Sequence, residues 1–296
     1  MHRYRVYGLA LQSEVELPEL VAALETPPDV TIRYGTVLLG APPEADAQRW
    51  LETGTDPLRT ASVFEAVGRF EVQTGSLIVV DPAPGADARL VRHALLGPVL
   101  AQLLWQRDLF TLHASVVRVG ERHAAFVGVS GEGKSTTAAA LAAHGHGLVC
   151  DDIAAIPWQE QPIRALPGFP RMRLYADTLR SLGADPEEHP LVHGLIDKRL
   201  KPAPRFVDEP VVLDRIYVLE SAPELRTEPL PAQQALLELM KHAYNAYQFA
   251  PVVGFHRHMQ MAARIARAVP VYRLLRPKDL KLLPNLVGLV ESHLQT

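Results

Sequence analysis

The sequence predicts an α/β protein with a smaller β-rich region at its N-terminal end. Three observations predict it. Gly128-Val129-Ser130-Gly131-Glu132-Gly133-Lys134-Ser135 fits the pattern G-x-x-x-x-G-K-[ST]. An apolar run at 124–127 leads into that stretch and an alanine-rich run at 135–143 leads out, which gives the order strand, loop, helix. Residues 1 to about 80 show alternating apolar, β-branched and aromatic positions broken by turn glycines.

The elements follow in order. Residues 4–11 alternate loosely, 30–39 are β-branched and aromatic at intervals, and 63–80 read as two or three strands divided at Gly68 and Gly75. Residues 19–24 read as a short helix. Asp81-Pro82-Ala83-Pro84-Gly85 marks the boundary between a β-rich region, 1–82, and a second domain, 86–296. Asp87 caps a long apolar helix over 88–106, which Gly97-Pro98 should kink or split. A strand over 111–119 turns at Gly120-Glu121 into the strand that enters the glycine-rich loop. The helix after the loop ends near His144-Gly145, where a glycine suits the C-terminal turn.

A short apolar run at 148–150 then delivers Asp151-Asp152, and 153–157 continue as strand. Residues 158–210 are proline-rich and read as irregular. Beyond them come a strand over 211–219, helices over 231–249 and 255–268, a last strand over 271–275 and a closing helix over 283–294. There is no internal repeat.

Composition narrows the classes. The chain has 296 residues, 48% of them apolar, so it can bury a large core. A net charge of −3 without a dominant basic run does not suggest a nucleic-acid partner. One cysteine, Cys150, rules out an internal disulfide and fits a reducing compartment. No apolar run reaches the ~18 residues of a membrane helix. The expectation is a cytoplasmic protein without a membrane partner.

The glycine-rich stretch has a direct chemical reading. Gly128, Gly131 and Gly133 let backbone N–H groups turn inward and approach phosphate closely. The helix N-terminus adds partial positive charge at the same place. Lys134 reaches the β- and γ-phosphates, and the Ser135 hydroxyl takes a position on Mg²⁺. Ser130, Glu132 and Thr136 complete the expected ATP-binding set. At average residue usage the pattern arises by chance on the order of 0.01 times in such a chain.

Mg²⁺ requires hard oxygen ligands. Asp151 and Asp152 sit at the end of an apolar strand, and adjacent strand residues point to opposite sides. The two therefore divide the work. We assign Asp151 as general base for an incoming hydroxyl and Asp152 as the Mg²⁺ carboxylate; at this stage the reverse is almost equally open. Arg171 and Arg173 share one face of an extended segment, and they or Lys198 could clamp a phosphate or an acidic substrate. His256 and His258 are two apart on a helix and face different sides, so no structural zinc site is expected.

Leu112-His113-Ala114-Ser115, the stretch from Gly128 to Ser135, and Gly147-Leu148-Val149-Cys150-Asp151-Asp152 together resemble the catalytic domain of HPr kinase/phosphorylase. The resemblance covers roughly residues 110–157. Features at 167–174, 198–200 and 269–275 look more like the HPr-kinase-related proteins of bacterial peptide biosynthetic clusters, some of which phosphorylate a serine of a lasso-peptide precursor. The resemblance implies a P-loop kinase core of the HPr kinase C-terminal type and a homo-oligomer. It puts His113 near the transferred phosphate as a catalytic residue with Lys134 and the aspartates. The first 80 residues do not look like the N-terminal domain of the bifunctional enzymes, and their later glycine-rich acidic signature is missing. These departures count against HPr itself as substrate and leave reverse phosphorolysis open.

The expected function is ATP- and Mg²⁺-dependent phosphorylation of a serine or threonine hydroxyl, such as that of a ribosomally made precursor peptide. Alternatives are a nucleotide-binding regulatory ATPase or a small-molecule kinase on the same scaffold.

Overall fold

The computed structural model describes residues 1–38, 49–53, 58–244 and 255–296, and shows a mixed α/β chain. The chain divides into two compact units, one containing Met1–Leu109 and the other Phe110–Tyr244 with His256–Thr296.

In the first unit, eight strands form one sheet. Their spatial order is Val21–Ala22, His2–Val6, Leu9–Ser13, Val30–Tyr34, Leu77–Pro82, Gly68–Gln73, Arg59–Phe64 and Arg49–Thr53. Val30–Tyr34 runs parallel to both neighbours, while the later strands form antiparallel hairpins. The helix expected at 19–24 is not formed. Its residues make a turn, and Val21–Ala22 pair with Arg5 and Tyr4 at the sheet edge. Six residues cannot sustain an isolated helix against strand pairing. The strand expected over 30–39 closes at Tyr34, and residue 39 lies outside the described residues.

Asp87 caps the apolar helix as expected, accepting from the Arg89 N–H at 2.8 Å. Gly97 leaves helical geometry (φ −113, ψ −105), and a π-helical turn over Leu95–Val99 joins Ala88–Ala94 to Leu100–Gln106. This helix belongs with the first sheet. Buried Gln102 bonds Thr60 at 3.2 Å and Ser62 at 3.3 Å, and Gln106 donates to the Val72 carbonyl at 3.2 Å. Those bonds satisfy buried amides. They tie the helix to this sheet, within the unit that runs to Leu109.

The second unit holds a mixed sheet in the order Gly147–Cys150, Leu109–Val119, Arg122–Val127, Arg215–Ser221, Val271–Arg276, Arg226–Pro229, with Ile153–Pro157 also paired to Leu109–Val119. Arg122–Val127, Arg215–Ser221 and Val271–Arg276 are mutually parallel. The helix Lys134–Ala143 follows Arg122–Val127. Its alanines 138–140 and 142, with Leu141, are buried together with Met172, Leu174, Leu286 and Val290. Small side chains admit close approach on several sides at once, and each buried Leu adds about 1.5–3 kcal/mol.

That packing overturns one expectation. Residues 158–210 contain a three-stranded antiparallel sheet, Arg171–Tyr175, Ile196–Pro202 and Leu191–His193, with the helix Ala176–Ser181 beside it. Met172 and Leu174 turn into the core while Arg171, Arg173 and Tyr175 alternate outward. The charged face masked the period of two. The strand expected over 211–219 is two strands, Val211–Val212 and Arg215–Ser221. Between them Asp214 accepts from the His123 N–H at 2.8 Å.

The helix expected over 231–249 is Ala232–Lys241. Beyond it the chain bonds the edge of Leu109–Val119 through His113 N–H to the His242 carbonyl (2.8 Å) and Tyr244 N–H to the Thr111 carbonyl (2.8 Å). Residues 245–249 lie outside the described residues. Among the described residues no helix is long and apolar enough to cross a membrane.

Candidate active site

The sequence folds locally into strand, loop and helix where the glycine-rich motif predicts them. Arg122–Val127 ends at Gly128 and the helix begins at Lys134. Gly133 is its N-cap, in the left-handed region at φ 77, and contributes no side-chain cap. First-turn N–H groups without a side-chain partner suit an anion. Lys134 is buried, and its Nζ donates to the Gly128 carbonyl at 2.7 Å and the Val129 carbonyl at 3.3 Å. Burial pulls its pKa below the ordinary lysine range, and the charges of Asp152 and Asp151 pull it back up.

Of the remaining expected ATP ligands, Ser130 and Gly131 are exposed at the loop tip. Thr136 Oγ1 lies 3.3 Å from Thr178 Oγ1. The Glu132 side chain is committed elsewhere, since its Oε1 meets Lys278 Nζ at 2.7 Å.

The two aspartates face apart and meet different partners. Asp151 is buried and accepts three hydrogen bonds: from Ser115 Oγ at 2.6 Å, Ser135 Oγ at 2.9 Å and the Arg173 N–H at 3.1 Å. Asp152 turns away, with its side chain 20% exposed. Arg173 Nη1 donates to its Oδ2 at 2.7 Å, His113 Nε2 lies 3.3 Å from its Oδ1, and the Tyr244 hydroxyl donates to Oδ2 at 3.5 Å. Ser135 thus meets Asp151, and the carboxylate nearer solvent is Asp152. The physical reason is the backbone: Asp152 sits at φ 78, a conformation costing of order 1–3 kcal/mol for a non-glycine residue and typical of functional turns.

His113 and Ser115 are two apart on Leu109–Val119, so they share a face. One meets Asp152 and the other Asp151. Arg173 contacts both aspartates, through its amide and its guanidinium. Lys198 pairs across the strands with Tyr175 and places Nζ 4.9 Å from that ring centre. Arg173, on the neighbouring strand, brings the three-stranded sheet to the two aspartates. Arg171 donates to its own neighbour's Pro170 carbonyl at 3.3 Å and, among the described residues, touches neither aspartate.

Four residues of this neighbourhood were not singled out from the sequence: Ser115, His242, Tyr244 and Arg276. Ser115 was legible from its spacing to His113. The others arrive by tertiary packing alone. His242 is buried against Glu238 at 3.3 Å, and desolvation lowers its pKa to about 4.

The donor set suits Mg²⁺. A hydroxyl and a carboxylate, Ser135 and Asp151, stand 2.9 Å apart, and this metal uses one or two such oxygens plus phosphates and water. Among the described residues no group of three or more His, Cys, Asp or Glu could hold a metal.

No family model matches the sequence, and no curated protein matches it. Among solved structures, the HPr(Ser) kinase/phosphatase from Coxiella burnetii is similar, with 16% identity over 62% of this chain and 95% of that one, at a TM-score of 0.35.

Proposed function

We propose that this protein is an ATP-dependent kinase acting on a serine or threonine hydroxyl of a peptide or protein. The observation that supports it best is the division of labour between neighbouring carboxylates: Asp151 bonded to Ser135, and Asp152 held beside the loop by Arg173 and His113.

The loop amides hold the α- and β-phosphates, and Lys134 reaches the β- and γ-phosphates. Ser135 and Asp151 hold Mg²⁺, which when bound neutralises charge on the phosphate oxygens. Asp152 takes the proton of the acceptor hydroxyl. The acceptor oxygen forms a bond to the γ-phosphorus, the bond to the bridging oxygen breaks, and ADP leaves. His113 and Arg173 orient the Asp152 carboxylate; Lys134 stabilises charge on the transferred group. The outward face of Arg171–Tyr175, with Tyr175 47% exposed, supports an extended acceptor beside Asp152.

The test is to incubate the protein with Mg-ATP and serine- or threonine-bearing peptides, beginning with any encoded beside its gene, and weigh them. A gain of one phosphate that disappears in Lys134→Ala is the expected result. ATP consumed with no peptide gaining mass would favour a regulatory ATPase instead.

A further inference from the structure

Arg276 ends the strand Val271–Arg276 and is only 8% exposed. Its guanidinium lies against the glycine-rich loop. Nη2 donates to the Glu132 carbonyl, and a Cβ built on Gly133 would collide with the same nitrogen. Nη1 donates to the Pro277 carbonyl at 3.3 Å, and Nε is buried without a hydrogen-bond partner among the described residues. Two residues on, Lys278 Nζ holds the Glu132 carboxylate at 2.7 Å.

A buried guanidinium is costly unless its charge is matched. Burial lowers the Arg276 pKa while the Glu132 charge raises it, and that carboxylate already pairs with Lys278. Arg276 thus holds the Glu132 carbonyl while Lys278 holds its carboxylate.

The backbone geometry says how Arg276 could act. In a trans peptide the carbonyl of one residue and the N–H of the next point in opposite directions. Arg276 draws the Glu132 carbonyl to its own side, so the Gly133 N–H is turned to the other side.

We propose that Arg276 is a positioning residue of the nucleotide site, and that with Lys278 it straps the loop through Glu132. The strap sets the 132–133 peptide plane so that the Gly133 N–H faces phosphate. This rests on the nucleotide-binding reading of the loop. Because the loop cradles the phosphates that ADP and ATP share, the strap acts equally on both nucleotides.

The test is calorimetric titration of Mg-ATP and Mg-ADP into the full chain and its variants. Arg276→Met should weaken both nucleotides at least tenfold and by the same factor, with an unchanged unfolding midpoint. Arg276→Lys should recover part of the loss, since it keeps the charge but not the planar fork. Lys278→Met should weaken both about two- to fivefold. Should Arg276→Met fail to fold, the lysine variant and Lys278→Met carry the test, each having to weaken ATP and ADP alike. Wild-type affinity in these variants overturns the strap. So does a loss confined to ATP, which would place Arg276 on the γ-phosphate. Wild type that binds neither nucleotide, indistinguishable from Lys134→Ala, overturns the kinase reading together with the strap.

Discussion

Ser135 and Asp151 share a hydrogen bond of 2.9 Å, which joins the end of the glycine-rich loop to the end of the strand Gly147–Cys150. Asp152, the next residue, takes no part in that pair and instead meets Arg173 and His113. The roles of the two aspartates therefore separate experimentally. Asp152→Asn should bind Mg-ATP as wild type does and slow transfer about 10²- to 10⁴-fold. Asp151→Asn should raise the Mg²⁺ concentration needed for half-maximal turnover, by about tenfold or more. Turnover measured across a Mg²⁺ titration checks both, and the opposite pattern would return the base to Asp151.

Arg173 is the closest cation to Asp152. Arg173→Met removes the guanidinium but keeps the backbone N–H that Asp151 uses. Transfer should fall about 10- to 100-fold while Mg²⁺ dependence stays as in wild type. Tyr244→Phe loses a long contact of 3.5 Å to Asp152 and keeps its ring beside His113, so its transfer rate should stay within about threefold. Steady-state rates of the two variants, compared side by side, decide this.

Gly133 answers two constraints at once, a left-handed backbone at φ 77 and the guanidinium of Arg276 where a Cβ would stand. Gly133→Ala should abolish measurable ATP binding. The backbone term alone costs about 1 kcal/mol. Gly131 has a comparable φ of 89 but open space around it, so Gly131→Ala should bind more weakly yet measurably. Titration calorimetry on both variants ranks them.

Acid should destabilise the second unit through its buried histidines. His258 packs edge-on to Phe110 at 5.8 Å, and desolvation lowers its pKa to about 4, against an ordinary 6.5. The folded value lies below the unfolded one, so between those two pH values the unfolded chain binds more protons. Stability is then full above about pH 6.5 and falls as pH drops toward 4, by on the order of 2–3 kcal/mol from this residue. His242, also lowered to about 4, adds in the same direction. His258→Phe should flatten the slope. Urea midpoints at pH 7 and pH 5 for both proteins measure it.

Cys150 is completely buried, and desolvation with the Asp151 charge raises its thiol pKa far above the ordinary range. The thiolate is the reactive form. Alkylation at pH 8 should therefore leave the native protein unlabelled and go to completion in denaturant, as intact mass will show. Fast labelling of the native chain would contradict the burial.

What the sequence determined by itself was local. The loop from Gly128 to Ser135, the helix that follows and the cap at Asp87 each depend on residues within one turn of themselves. The helix Phe255–Ala268 was legible, because its apolar positions repeat at the helical period. What only tertiary structure decided was non-local. The strand Arg171–Tyr175 hid behind its charged face until Met172 and Leu174 found the alanines of the loop helix. Asp151 and Asp152 were visible as a pair, but their division depended on φ 78 at Asp152 and on partners that include Ser115, Arg173 and Tyr244. Arg276 reaches the loop across 144 residues of sequence. Propensity and periodicity report on neighbours along the chain, whereas the direction of a carboxylate is set by whichever donors the packed core brings to it.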